Sequence, residues 1–346
     1  MRVPDRVDRI MVKRTSFFWV GIVILLVVGC RGGGIKLSSL GVSQEQLRQR
    51  MRQVIFEAAG SEDAALRSHA MESLGALGGL EAPGLIRKGL HDPVAAVRFA
   101  AAGAAGDLKD YTARHLLERL LWDKEESVKL AAAYGLEKLG DDRFGDWYDA
   151  VLMGDDARLA AQACILLGRL GRTEFRPDSE EKLWRVLRKV DQAPSVKLQA
   201  AEALARLGDE RITRKLLAYA GSGYADDRLI AISGLEQMGS QEALAMLTVL
   251  ADDSQLEVRL GAIRALGEQA SEEDLVLLHG AINHVDTQGD ENATVRVRGL
   301  ASLALGRVGQ DSDAGLLYGA MGSEWVYVRV AAARGAIDFL RRRGNL

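Results

Sequence analysis

A turn recurs along this chain at a nearly constant step. It falls at Gly78, Lys109, Gly140, Gly171, Gly208, Gly239, Ala270, Gly309 and Leu340; six of the eight steps are 31, and the other two are 37 and 39. Ahead of it stands a short signature: an apolar residue followed by a base. Val97-Arg98, Val128-Lys129, Val196-Lys197, Val258-Arg259, Val297-Arg298 and Val328-Arg329 carry it, with weaker copies at Leu66-Arg67 and Asp227-Arg228. A fixed period of this size marks one supersecondary unit repeated many times. A unit this short cannot bury its own apolar face, so neighbours must stack.

Each unit reads as a helical hairpin. Six residues before the base lie Ser61, Asp92, Asp123, Asp191, Ser222, Asp253, Asn292 and Ser323. These residue types accept the free N–H groups of a first helical turn, so they are predicted N-caps. The fourth unit departs from the rule, with Gly154 in that place and Asp155-Asp156 beside it. Apolar and small residues then recur at helical spacing, as in Val128, Ala131, Ala132, Gly135, Leu136 and Leu139. Small side chains let adjacent helices approach closely, and the turn glycine ends the helix in a left-handed conformation. A second amphipathic stretch follows, as in 111–120, 181–190 and 242–250. Only 5 prolines interrupt the chain. The expectation is an all-α protein, a right-handed α-solenoid of about nine helical hairpins over 43–346. Helix is expected from near Ser43, with 44–59 an unpaired or atypical capping segment. Insertions are expected near 173–179 and 284–291. The last unit ends in the polar run 341–346, as befits an exposed terminal cap.

The pattern resembles the HEAT-repeat family, and more closely its short class, first associated with phycobilisome lyases. The resemblance runs from about Glu62 to Leu340. It implies an armadillo-like superhelix with the first helix of each unit convex and the second concave. It also implies that Asp92 with Arg98, Asp123 with Lys129, Asp191 with Lys197 and Asp253 with Arg259 form a structural ladder of caps and inter-repeat ion pairs. On an exposed surface each pair is worth roughly 0–1 kcal/mol.

Residues 1–29 are of another kind. Lys13-Arg14 precedes an apolar run from Phe17 to Val28, ending Val27-Val28-Gly29-Cys30. Such a run is short for a membrane span but has the size of a signal-peptide core. The ending resembles the lipobox of bacterial lipoproteins, which implies cleavage after residue 29 and acylation of Cys30. Met11 would give a signal of ordinary length. Residues 30–42, with three glycines at 32–34, form the expected flexible tether. Arg31 in place of Asp implies, by the Gram-negative sorting pattern, the outer membrane. The expected localisation is therefore the cell envelope, lipid-anchored.

Chemistry is sparse. Net charge is −3 overall, and residues 1–29 contribute a net positive charge, so the repeats are acidic. A general nucleic-acid binder needs a basic face, so none is expected. The five histidines, His69, His91, His115, His279 and His284, form no zinc-protease pair. The acidic insertion at 286–291 lacks calcium-loop spacing. Cys164, in an apolar run, reads as core. No catalytic residue, metal site or cofactor is expected. If the second helices line the concave surface, Arg114, His115, Trp147, Tyr148, Trp184, Arg188, Arg214 and Tyr219 are the candidate binding residues there. Arginines and aromatics anchor protein interfaces, although Trp147 and Trp184 could equally pack between hairpins. The leading reading is a non-catalytic, membrane-tethered scaffold for an unidentified protein partner. The alternatives are a lyase or chaperone-like factor and a structural subunit of an envelope complex.

Overall fold

The structure is a computed structural model that describes residues 41–171 and 178–346. The signal-like segment, Cys30, most of the tether and most of the insertion at 173–179 lie outside these residues. The described residues form eighteen α-helices, no strand and four short 3-10 turns. The first hairpins are α1 (Gln44–Ala59) with α2 (Ala64–Leu77), α3 (Ala82–Gly89) with α4 (Ala95–Asp107), and α5 (Arg114–Leu120) with α6 (Glu126–Lys138). Next come α7 (Gly145–Met153) with α8 (Ala157–Leu170), α9 (Ser179–Arg188) with α10 (Pro194–Arg206), and α11 (Thr213–Ala220) with α12 (Ala225–Met238). The last are α13 (Gln241–Leu250) with α14 (Leu256–Leu266), α15 (Glu272–Ala281) with α16 (Glu291–Val308), and α17 (Ala314–Ala320) with α18 (Val326–Arg342). The architecture is an α-solenoid, and α1 is a full hairpin partner of α2 rather than an unpaired segment.

The register holds at the turns with instructive departures. Gly78, Gly140, Gly171, Gly208 and Gly239 all take positive φ, and Lys109, in the same register position, is forced to φ 52. A lysine there carries a steric cost that glycine avoids. In the seventh unit the positive-φ residue is Gly267 instead of Ala270, and in the ninth the helix runs past Leu340 to Arg342, with positive φ at Gly344. Gly309 is extended at φ −58.

The expected N-caps sit outside the helices. Helix α4 starts at Ala95, so Asp92 precedes its cap position; its carboxylate accepts the N–H of Val94 at 2.9 Å. Asp123 and Asp253 do the same for Glu125 and Gln255. These residues build the tight turn before the helix, while a cap bond comes from residues such as Asp63 and Asp156.

The even-numbered helices form the inner layer. Each packs on the next even helix, and ion pairs reach across a whole intervening unit, Arg169 to Asp107 and Arg307 to Glu236. Small residues allow this. A Cβ added to Gly106 would stand 2.8 Å from Cα of Gly135, and one on Gly168 would stand 2.9 Å from Cα of Ala203. Helices meeting backbone to backbone on the inside, with fuller side chains outside, bend the stack tightly.

The bend closes. Helix α1 packs on α18 and α17, and α2 packs on α18. The apolar stripe Leu47, Met51, Val54, Ile55 and Ala58 on α1 is buried. Full burial of a large aliphatic side chain is worth roughly 1.5–3 kcal/mol, so the seam is a continuation of the core. Polar contacts cross it: Tyr327 donates to Asp63 at 2.9 Å, Arg50 to the Met321 carbonyl at 3.0 Å, and Arg48 Nε to the Asn345 carbonyl at 3.2 Å. The ends of the array therefore cap each other, and the solenoid is a ring. The polar run 341–346 is part of this joint, since Arg341 donates to the Ala76 carbonyl.

Candidate functional site

A ring of hairpins has an inner wall, an outer wall and two rims. The eight residues expected on a concave surface lie on α5, α7, α9 and α11, which are outer helices. The assignment of layers is the reverse of what the resemblance implied, because the helix bearing the Val-Arg signature is the one with the small-residue face. Tyr148 is fully buried. Trp184 donates its indole N–H to Asp209 at 2.7 Å under the Arg211 guanidinium, so it ties one hairpin to the next. Arg114 donates to the Leu139 carbonyl at 2.8 Å, and Arg188 pairs with Glu181. Trp147 and Tyr219 pack half-buried against the core, while His115 and Arg214 are exposed. They form no common surface facing the ring's interior.

The interior carries other residues. Arg169 on α8 pairs with Asp107 on α4 and lies 5.1 Å over the Tyr134 ring of α6, whose hydroxyl donates to the same Asp107. Burial pushes the Tyr134 phenol well above its ordinary range. Glu236 on α12 accepts from Arg307 on α16 at 2.9 Å and lies 3.8 Å from Arg264 on α14. Ser233 donates to Glu202 at 2.8 Å, and burial raises the Glu202 carboxyl despite that bond and Arg206. Arg334 on α18 is held below the usual arginine range by burial, partly relieved by Asp338 and Glu72. The lining is a lattice of opposite charges joining units that are not sequence neighbours. Among the described residues no three His, Cys, Asp or Glu gather as a metal site. His279 pairs with Asp313 at 2.9 Å rather than with His284, and the Asp286 carboxylate accepts backbone N–H groups of its own loop. Cys164 is buried, which pushes its thiol far up.

The rim at the turns inside each hairpin carries the ladder. Arg67 grips Asp92 through two bonds of 2.7 and 2.9 Å, and Arg98 grips Asp123 at 2.7 and 2.8 Å. Arg228 and Asp253 form the same pair, with 2.8 Å from Nε to Oδ2. The rung joins the base of one unit to the acid of the next, and of the expected bases Arg98 alone forms one, Lys197 donating instead to the Val190 carbonyl; the rung side chains are largely buried instead of exposed. Burial pushes the Asp92 carboxyl up, and the bonds from Arg67 and the Val94 N–H more than offset it, so it lies below the usual range. Where the next unit lacks the acid, the base turns elsewhere. Gly154 stands opposite Lys129, which pairs with Glu126 of its own helix.

The same rim exposes large apolar side chains. Trp122 is 89% exposed, Val190 94% and Tyr224 77%, and Val94 and Val285 stand in equivalent turns. Around them Glu62, Glu126, Asp155, Asp191, Asp226, Asp252, Asp290, Glu291 and Glu324 are exposed, against Lys88, Arg119, Lys124, Arg158 and Arg188. Sequence reasoning passed over these residues because each lies in a turn, outside any periodic face. The opposite rim has its own hairpin-to-hairpin contacts, Arg87 to Asp110 at 2.6 Å and Trp184 to Asp209. Asp209 is held down to about 2 by its bonds from Arg211 and Trp184 against burial. No helix among the described residues is long and apolar enough to cross a membrane.

Fold and site together define a closed, HEAT-like α-solenoid. A family model described as HEAT repeats matches residues 213–290, which run from α11 to the loop before α16. Among solved structures, the chain is similar to human deoxyhypusine hydroxylase in complex with glycerol, at 19% identity over 75% of this chain and 96% of that one, with TM-score 0.38. It is also similar to the complex of CpcE and CpcF of phycocyanin lyase from Nostoc, at 19% identity over 74% and 97%, with TM-score 0.41. Kap121p is similar at 16% identity over 82% of this chain and 37% of that one, with TM-score 0.34. No curated protein sequence matches.

Proposed function

We propose that this chain is a non-catalytic, membrane-tethered scaffold that docks a basic, partly apolar protein surface on its hairpin-turn rim. The observation that carries the reading is the set of exposed Trp122, Val190 and Tyr224 in an acidic rim. Exposed tryptophan and tyrosine ringed by charge are the residue types that anchor protein interfaces, and acidic surroundings select a basic partner. The tether fits this orientation. The chain enters α1 at Ser43, and α18 ends at Arg342, both on the rim opposite the aromatic one. Arg48, Arg341 and Arg342 stand near that entry and suit an anionic membrane surface. A lipid on Cys30 would then hold the rim that bears these arginines inward and present the aromatic rim to its partner.

Two measurements test the two halves. After cross-linking in intact cells and solubilisation, the wild-type chain is expected to recover a specific protein, and the W122A/Y224A double variant at least tenfold less, with an unchanged melting temperature. Two lost anchors at about 1–2 kcal/mol each account for that factor. Equal recovery by both, or no specific protein, sinks the docking reading. Cys30→Ala is expected to move the chain out of the membrane fraction; unchanged fractionation and unchanged mass would sink the anchor.

A further inference from the structure

The ladder is interrupted where the ring closes. In a complete rung the guanidinium works on two sides. Its Nη1 donates backward to carbonyls of its own turn, as Arg67 does to Ser61 and Glu62 and Arg98 to Asp92 and Pro93. Its Nε and Nη2 edge grips the aspartate of the next unit. Arg329, in the last unit, keeps the backward bonds, to the carbonyls of Ser323 at 2.8 Å and Glu324 at 3.2 Å. The next unit around the ring is the first, and its ladder position is Ser61, one repeat step before Asp92. The forward edge of Arg329 makes no hydrogen bond among the described residues, and the nearest opposing charge is that of Glu57.

A cavity of about 180 Å³ lies there, lined by Arg329 and Ser61, by Val54, Leu66 and Val326, and by Glu57. Two other arginine rungs are also interrupted. Arg298 meets Ser323, but its guanidinium stacks 4.9 Å over the Trp325 ring. Arg259 is followed in the ladder by Asn292, and its Nε, like that of Arg298, is buried without a hydrogen bond.

We propose that this seam cavity binds a short aliphatic carboxylate, whose carboxylate group takes the place of the missing ladder aspartate. The guanidinium fork matches a carboxylate bidentately, as it does at Asp92 and Asp123 in the same molecule. Ser61 adds a hydroxyl, and the three aliphatic side chains take the hydrocarbon body. Glu57 repels a dianion such as phosphate more strongly than a monoanion and offers an acceptor to an ammonium group. An aliphatic acid and an aliphatic α-amino acid share the recognised chemistry. A bound ligand would touch α1, α2 and α18 together, so it would add a rung across the seam and stabilise the closed ring by linkage.

The test uses the purified full chain in a zwitterionic detergent, with calorimetry and thermal melting against 4-methylpentanoate, leucine and the neutral 4-methylpentanamide. One of the two carboxylates is expected to bind at a single site and raise the melting temperature, with the amide at least tenfold weaker. Tighter binding of leucine would assign Glu57 to the ammonium; tighter binding of 4-methylpentanoate would assign the site to simple acids. S61D should restore the rung from within the chain. It is expected to raise the melting temperature of the free protein by about 2 °C and to abolish binding, while R329Q abolishes binding without that gain. Absence of saturable binding by both carboxylates, or binding that survives in R329Q and S61D, overturns the proposal. Neither result bears on the partner-docking rim.

Discussion

Gly306→Ala is expected to destabilise the ring by about 2 kcal/mol or more through overpacking, although alanine is the better helix former. Gly306 lies on α16 against Gly335 of α18, and an added Cβ would stand 2.7 Å from Cα of Gly335 and closer still to its carbonyl oxygen. The obstacle is backbone, so no side-chain rotation relieves it. The two helices must move apart, and overpacking of this kind costs roughly 1–3 kcal/mol, occasionally more. Helix propensity returns only about 1 kcal/mol. Because α18 is also the helix that meets α1 and α2, displacement there should loosen the seam. The check is thermal melting together with small-angle scattering, where a larger radius of gyration would report the opened ring. Gly280→Ala is the control of opposite sign: nothing lies within 4 Å of its added Cβ, so a gain of about 0.4–1 kcal/mol is expected. If Gly306→Ala melts at or above the wild type, close packing of the inner helices is not what sets the curvature.

The repeat itself was legible because it rests on period and local chemistry. Turn glycines at a constant step, small residues at helical spacing and acids before each helix are all local signals, and they located the helices to within a few residues. Closure was not legible, because it depends on curvature summed over every hairpin. The stripe Leu47, Met51, Val54, Ile55 and Ala58 on α1 did show an apolar face, but nothing in the linear order says that its partner is α18, at the far end of the array. The layer assignment failed for a related reason. Unit boundaries drawn at the signature made α2, α4 and their equivalents the first helices, whereas the packing pairs each of them with the helix before it. The candidate surface was then placed on the wrong wall. The same shift turned supposed caps into turn residues: Asp92 was recognised as important at a helix start, but its carboxylate serves the preceding loop and the preceding unit's Arg67.

Closure also changes what such a protein can offer a partner. An open superhelix binds along its groove. Here the groove is an interior crossed by Arg169, Asp107, Glu236 and Arg307, whose charges are spent on one another. Large surfaces remain only on the outer wall and the rims, and among these the hairpin-turn rim combines exposed aromatics with an excess of acidic side chains. A rigid ring holds those side chains at fixed separations, which lowers the ordering cost of docking.

That rigidity rests in part on the ladder, and Arg98→Ala is expected to cost about 3 kcal/mol at neutral pH. Arg98 and Asp123 each leave only 9% of the side chain exposed, and the pair is bidentate at 2.7 and 2.8 Å. Removing one partner of a buried pair strands the other charge, which costs roughly 3–5 kcal/mol in fully enclosed sites. Asp123 retains the Glu125 N–H, so the lower end applies. Arg98→Met with Asp123→Leu removes both charges and should recover most of the loss. The surface pair Arg52 and Glu81 gives the contrast: its side chains are 42% and 59% exposed, and Glu81→Ala should cost less than about 1 kcal/mol. The pH dependence fixes the cause. Burial raises the Asp123 carboxyl, but the bonds from Arg98 and the Glu125 N–H outweigh it, so its pKa in the folded ring is depressed. A depressed carboxyl contributes stability that is full above its unfolded value, about 4, and lost as pH falls through the folded value. The gap between wild type and Arg98→Ala in denaturant midpoint should therefore be widest at neutral pH and shrink below about pH 4, as protonation removes from the wild type what the substitution removed already. A gap independent of pH would mean that Arg98 acts through packing alone.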